Sequence, residues 1–308
     1  MKSYYAHGKI LLAGEYGVMY GLEALAFPVH LGQWMKVWET PSAGNSHLIW
    51  QAKDNKNQVW FECKIDTDIL HVIDTTDESL SKTLIKLLRY ASEQLPDFFL
   101  HKNIRVETEL EFSTTTGLGS SSTLVSLFAD WTGLNPLDVQ YAVFGGSGYD
   151  VMVSKLGKPL VFWKENDTAN WAPFILNPEF TKDWYVLFTG EKMNSRLSLD
   201  AVREKLEMIM GNPLFSMQLG KILNGLKDPK STMLLEAGLE MWQGLMAALL
   251  LLPRPYDVYE LKPIQGGLCK WLGAWGGDMI LINKTMLDMG IPAFKDMEVQ
   301  KWNEIVKS

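Results

Sequence analysis

The sequence predicts an α+β protein of two domains, on three observations. The chain has 308 residues, more than one hydrophobic core ordinarily organises. Its first half alternates strand-like and helix-like segments, and a new run of strand followed by helices starts near Trp184. Between them, residues 165–183 collect Asn166, Asp167, Pro173, Asn177 and Pro178, which is the punctuation of a boundary. Domains are therefore expected over 1–170 and 171–308.

The individual elements follow from periodicity. Ile10, Leu11 and Leu12 form a short apolar run closed by the turn signal Gly14-Glu15-Tyr16-Gly17. Residues 25–37 read as strand. Leu48-Ile49-Trp50 and Val59-Trp60-Phe61 flank a polar turn at 53–57, which is a hairpin pattern. Leu80, Leu84, Leu87, Leu88 and Ala91 stand at helical spacing within 79–95. Ile104, Val106, Thr108, Leu110 and Phe112 alternate with polar residues, predicting a half-buried strand. A small, polar stretch at 113–122 follows, and 124–131 turns helical. The second half gives a strand at 185–188 and helices around 199–210, 216–226 and 234–252. A loop, a strand at 279–282 and a last helix near 295–306 complete it.

Composition narrows the function. Hydrophobic residues make up 47% and charged residues 21%, the balance of a folded globular chain. Net charge is −7 and no Lys/Arg-rich block occurs, so nucleic acid is a poor candidate partner. An anionic cofactor stays open, because backbone amides and one or two lysines decide that locally. Cys63 and Cys269 are the only cysteines, which speaks against a disulfide framework and for a reducing cytoplasm. The first residues lack the apolar stretch of a secretion signal. The greasiest run, 244–252, stops at Pro253, is too short to span a bilayer and reads as a buried helix. The five histidines show no metal-ligand spacing.

The chemistry concentrates in Thr114-Thr115-Thr116-Gly117-Leu118-Gly119-Ser120-Ser121-Ser122, set between a strand and a helix. Gly117 and Gly119 permit close backbone approach, and the following helix offers N–H groups and a positive dipole end to an anion. The serines add hydroxyl donors for phosphate oxygens or a ligand for Mg²⁺. A flexible linker has the same composition, but this loop is pinned at both ends. It is neither a Walker A sequence nor a dinucleotide fingerprint. Asp150, among Gly145, Gly146 and Gly148, is placed to take a proton, and Lys9 is its natural cationic partner.

Four motifs in order carry a resemblance to the GHMP kinases, the class of galactokinase, homoserine kinase, mevalonate kinase and phosphomevalonate kinase. Gly117-Leu118-Gly119-Ser120-Ser121 resembles their second motif. Gly8-Lys9-Ile10-Leu11-Leu12-Ala13-Gly14-Glu15-Tyr16-Gly17-Val18-Met19-Tyr20-Gly21 resembles the N-terminal motif of the mevalonate-pathway members. Ser147-Gly148-Tyr149-Asp150 resembles their Ser-Gly-x-Asp motif, in a form like that of a compact bacterial subgroup. Gly273-Ala274-Trp275-Gly276-Gly277-Asp278 resembles the C-terminal Gly-rich motif. The resemblance spans essentially the whole chain.

It implies an N-terminal domain like ribosomal protein S5 and a ferredoxin-like C-terminal domain. It also implies ATP and Mg²⁺ as cofactors, a small-molecule substrate, no membrane partner, and leaves a homodimer open. Asp150 and Lys9 become the catalytic pair. Gly117, Leu118, Gly119, Ser120, Ser121 and Ser122 become the nucleotide-phosphate loop, with Ser121 at the metal. Ser147, Gly276 and Gly277 are expected at the substrate, and Glu15 there or as a structural acceptor. Mevalonate is the first substrate expected and phosphomevalonate the second, with homoserine or a sugar as further kinase substrates. A phosphorylated substrate would want further cations, for which Lys155, Lys158, Lys192 and Arg196 are available. Two readings of another kind stand beside these: diphosphomevalonate decarboxylase, which Lys9 argues against, and a catalytically silent binding module.

The chain departs from the family pattern in specific places. Val139 occupies the position of the metal-binding glutamate, with Asp138 as the neighbour that a register shift would bring inward. Trp275 replaces a glycine and is expected to reshape or narrow the pocket. His7 replaces a proline and only relaxes a backbone restraint. The interval from Ser122 to Asp150 is short for the family.

Overall fold

The computed structural model describes residues 1–190, 195–273, 275 and 277–307, with the side chains of 195–201 excepted. Its first elements are β1 Lys2–Ala13, β2 Ala24–Pro41, β3 His47–Lys53, β4 Val59–Asp66, β5 His71–Thr75, α1 Glu78–Gln94 and β6 Lys102–Leu110. Next come α2 Ser120–Thr132, α3 Pro136–Val143, α4 Tyr149–Leu156, β7 Leu160–Glu165, β8 Thr168–Pro173 and β9 Trp184–Phe188. The helices α5 Ser195–Met210, α6 Pro213–Lys227, α7 Thr232–Leu250 and α8 Pro255–Val258 follow. The chain ends with β10 Cys269–Leu272, β11 Met279–Asn283, α9 Lys284–Leu287, β12 Glu298–Lys301 and α10 Trp302–Ile305. Where one closing helix was expected over 295–306, a short strand and a single helical turn occur.

The chain forms two compact units that interleave in sequence. The first comprises Met1–Gly8, Leu31–Thr114 and Gly119–Leu156; the second comprises Lys9–His30, Thr115–Leu118 and Gly157–Ser308. The last passage falls at Leu156–Gly157, and both β1 and β2 contribute residues to each unit.

In the first unit the strands lie in the order β5-β4-β3-β6-β2. β3 and β4 make the expected antiparallel hairpin, and β6 runs parallel to β3. Parallel neighbours need a crossover, which α1 supplies between β5 and β6. α1 starts because Asp77 accepts from the N–H groups of Ser79 and Leu80. Its Leu84, Leu87 and Leu88 meet the inward residues Leu48, Trp50, Ile65, Ile104 and Val106, with Phe128 and Trp131 of α2 closing the same core.

The second unit holds the β7–β8 hairpin, paired through Ala24–Ala26 of β2, and a four-stranded antiparallel sheet ordered β10-β11-β9-β12. Every residue of β10 and β11 is buried. β10 is an edge strand, and helix α7 satisfies its outer backbone. Gln243 donates to the Cys269 carbonyl at 2.9 Å and accepts from the Trp271 N–H at 2.8 Å. Glu240 accepts from the Cys269 N–H at 2.7 Å. Covering an edge in this way removes a template for unwanted pairing. By length and composition α7 could cross a membrane. Its buried stripe of Leu235, Leu239, Trp242, Met246 and Leu250, together with the clamp on β10, packs one face of it into the second unit.

Burial raises the pKa of both Glu240 and Glu236 on α7, outweighing the hydrogen bonds that each accepts. Each group thus binds its proton more tightly when folded than when unfolded. Their contribution is fully present below the unfolded value and is lost as pH rises through the folded one. Thermal midpoints measured across mildly acidic to neutral pH should fall along that interval, and Glu240→Gln should flatten the slope. A slope unchanged in that variant would remove Glu240 as its source.

Candidate active site

The second unit carries the lysine and the front of the Gly-rich loop. Lys9 sits in the buried stretch of β1 and is only 9% exposed. Its main-chain N–H donates to the Leu118 carbonyl at 2.8 Å, and its Nζ donates to the Gly117 carbonyl at 3.1 Å. The amine is therefore fixed against the loop. Gly117 has φ +70° and lies against Asp278: a Cβ added at Gly117 would come within 2.4 Å of the Asp278 Cβ, Cγ and Oδ2. Asp278, 4% exposed, is set by its own backbone, whose carbonyl accepts from the Thr189 N–H at 3.2 Å. The Thr189 hydroxyl also donates to the Gly277 carbonyl, so the C-terminal Gly-rich motif is tied to the end of β9.

Past the end of β1, Glu15 enters a closed ion-pair cluster. One oxygen pairs with the Lys270 ammonium on β10, and the other accepts from the Trp242 indole of α7 at 2.6 Å. Lys270 also donates to the Trp271 carbonyl at 2.8 Å. Lys270 is 1% and Glu15 3% exposed, so protein groups take up this carboxylate. Tyr16 beside it has φ 60° and ψ −44°, a sparsely populated region for a non-glycine residue. Burial pushes its pKa up to about 12, against the opposing pull of the Trp275 main chain. The Trp275 indole is itself tucked in, 4% exposed, and donates to the Pro253 carbonyl at 2.6 Å. Its bulk, expected in the pocket, is absorbed by the interior of the unit.

The first unit carries the rest of the loop and the aspartate. Gly119 caps α2 with φ 93° and brings no side chain to its first N–H groups. These amides precede the first helical bond, Thr123 N–H to the Gly119 carbonyl, so they remain donors for an anion. Ser121 is exposed in the first turn. Ser122, 1% exposed, donates instead to the Gly119 carbonyl at 2.8 Å, so its hydroxyl serves the loop's own shape. Asp150 stands half-buried in the first turn of α4. Two bonds lock α4 to α2: Ser154 to Ser122 at 3.3 Å and Ser126 to the Val151 carbonyl at 3.1 Å. Gly148 before it has φ 93°, and a Cβ there would meet Leu137 at 2.6 Å. Ser147 is buried, and its carbonyl accepts from the Tyr141 hydroxyl at 2.9 Å.

Other expected residues fall elsewhere. Gly276 and Lys192, and the side chain of Arg196, lie outside the described residues. Lys155 is ion-paired with Asp130, and Lys158 is exposed. Val139 is fully buried in the core of the first unit. Asp138 is not turned inward: it is exposed, and its charge acts on the Tyr90 hydroxyl. Sequence reasoning did not find Lys270. Its signal was a lone lysine inside the apolar run Leu268-Cys269-Lys270-Trp271-Leu272, which calls for a buried counter-charge.

By sequence, no protein-family model and no curated protein matches the chain. Its three-dimensional structure does find matches: the chain has the α+β fold of the GHMP kinases. Methanococcus jannaschii mevalonate kinase is similar at TM-score 0.66 and 14% identity, over 97% of this chain and 96% of that one. Streptococcus pneumoniae phosphomevalonate kinase, in complex with phosphomevalonate and AMPPNP, is similar at TM-score 0.68 and 13% identity, over 98% of both chains. Lactococcus lactis galactokinase complexed with galactose gives TM-score 0.66 and 12% identity, over 99% of this chain and 93% of that one. Identity this low carries the fold and nothing finer.

Proposed function

We propose that the chain is an ATP-dependent small-molecule kinase of the cytoplasm, with mevalonate as its first substrate, in isoprenoid precursor synthesis. The observation that carries the reading is the double attachment of Lys9, by main chain and ammonium, to Leu118 and Gly117 of the Gly-rich loop. A lysine held there has a charge-bearing task at a phosphate loop, which a linker or a silent fold-mate does not require. The fold shared with mevalonate kinase, phosphomevalonate kinase and galactokinase supports the same class.

In this reading the loop from Gly117 and the free amides at the start of α2 hold the ATP phosphates. Asp150 accepts the proton of the substrate hydroxyl, whose oxygen then attacks the γ-phosphorus as the bond to ADP breaks. Lys9, the cationic partner in this reading, balances charge on the transferring group. Ser147 and Gly277, with Gly276, orient the substrate. The exposed Ser121 hydroxyl is an oxygen donor of the kind a hard cation takes, and Mg²⁺ there would neutralise phosphate charge. Glu15 acts through the shape it gives the end of β1.

Phosphomevalonate is the second reading, favoured by the sequences Glu15-Tyr16 and Gly276-Gly277-Asp278. A phosphorylated substrate needs extra cations, and Lys155 is already committed to Asp130. That tilts the choice to mevalonate. Purified protein with ATP and Mg²⁺ should release ADP with mevalonate, in a panel that includes phosphomevalonate, homoserine and galactose. Release with another member would change the substrate, and no release with any member would remove the kinase reading.

A further inference from the structure

We propose that the outward face of α7 is an interface at which two copies of this chain pair about a two-fold axis passing near Met241. α7 turns Leu235, Leu239, Trp242, Met246 and Leu250 into the second unit. On the other side Leu234, Ala237, Met241, Leu245 and Ala248 follow in steps of three, four, four and three residues, which keep to one helix face. Met241 is 60% and Leu234 53% exposed, Ala237 and Ala248 are exposed, and Leu245 is half-buried. Met233 and Leu251 extend the strip at its ends and are more exposed still. No charge interrupts it. The ionisable side chains of α7 are Glu236 and Glu240, and both are engaged elsewhere. Glu236 accepts from Trp184 and Asn283, and Glu240 from Tyr256 and the Cys269 N–H. A helix facing water ordinarily carries its charges on this side. At 19 residues α7 is about 28 Å long and ~10 Å wide, so the strip is on the order of 300 Å². An exposed apolar patch of that size commonly marks an interaction site.

The pattern is complementary to itself. Antiparallel pairing about Met241 sets Leu234 of one copy against Ala248 of the other, and Ala237 against Leu245. Each large side chain then meets a small one, which lets facing helices interdigitate. The two-fold repeats every such contact, as an isologous interface requires. Charge favours this occupant over a lipid surface. Helices that lie on membranes carry Lys and Arg beside the apolar face. α7 has neither, and the flanking Lys230 and Arg254 are paired with Asp228 and Asp257. Each copy has net charge −7, so contact is favoured where the surface is neutral, and salt that screens the repulsion should tighten it. The strip is small beside the ~800 Å² per partner of a standard interface, so the dimer should be reversible.

Sedimentation velocity of the whole protein across a wide concentration range should show a monomer–dimer equilibrium that moves toward dimer as salt is raised. Met241→Lys sets two like charges at the axis and should abolish the dimer. Its thermal midpoint should stay near that of wild type, because the side chain faces solvent; should it not fold, Ala248→Glu on the same face is read in the same way. Cross-linking tests the register. With copper–phenanthroline as oxidant, Met241→Cys should give a disulfide-linked dimer, since a residue at the axis faces its own copy. Ala237→Cys should not, because its two copies would lie about 12 Å apart along the helices, beyond the reach of a disulfide. The native Cys63 and Cys269 are buried and do not compete. A protein that stays monomeric at every concentration overturns the proposal, as does a dimer that survives Met241→Lys. Equal cross-linking at the two positions overturns the two-fold about Met241. Monomer that instead co-sediments with phosphatidylglycerol vesicles overturns the pairing and assigns the face to lipid.

Discussion

Asp150→Asn is expected to lower turnover by roughly 10²- to 10⁴-fold, the range a positioned general base contributes, with nucleotide affinity almost unchanged. Asparagine keeps the size and the polar end of the side chain but cannot accept the hydroxyl proton. Two supports of α4 stay in place in the variant: Ser126 holds the Val151 carbonyl and Ser154 holds Ser122. The helix should therefore stay in place, with only the small loss that follows from removing an acid from a helix N-terminal turn, ~0.3–1 kcal/mol. Steady-state ADP release gives the turnover, and titration with ADP gives the affinity. A variant with turnover within about threefold of wild type would fall far outside that range and would sink the base assignment. Loss of turnover and nucleotide affinity together would instead point to collapse of the loop that Ser122 shapes.

The parts of the molecule that were legible in the sequence are those whose cause is local. The hairpin around 53–57, the amphipathic α1 and the alternating β6 each declare themselves within a window of about ten residues. So does the strand–Gly/Ser–helix order around 113–122. The rest depends on contacts between distant segments. α3 and α4 have eight residues each, two turns apiece, and their spacing is too brief to mark a period. β10 is buried at every position, so its residues do not alternate, and Lys270 within it masks the apolar run. The interleaved units escape any single composition boundary, since Lys9–His30 and Thr115–Leu118 join residues far along the chain. At the site, the glycines of the loop were readable, but not what they make room for. Gly117 is small because Asp278 presses on it, and only the folded chain brings the two together.

Lys270→Met should be the most destabilising conservative change in the second unit, by about 3–5 kcal/mol, because it leaves the Glu15 carboxylate buried without its cation. The pair is closed to water on both sides, with side-chain exposures of 1% for Lys270 and 4% for Glu15. Methionine matches the length of the lysine stem, so the loss reports charge and not a cavity. The Trp242 indole still donates to Glu15, but one neutral donor does not balance a buried charge. Adding Glu15→Gln to Lys270→Met removes the orphan charge and keeps an acceptor for Trp242. The double variant should therefore recover most of the stability, because both buried charges are gone. Urea unfolding midpoints measure this directly, and a single-variant loss below about 1 kcal/mol, the scale of an exposed pair, would show that the cluster is not a structural hub. Turnover then separates the two roles open to Glu15. If the glutamate acts only by fixing the turn after β1, activity should return with stability in the double variant. Stability that returns without activity would mean that its carboxylate also serves the substrate, and that the ion pair with Lys270 is broken in the working enzyme.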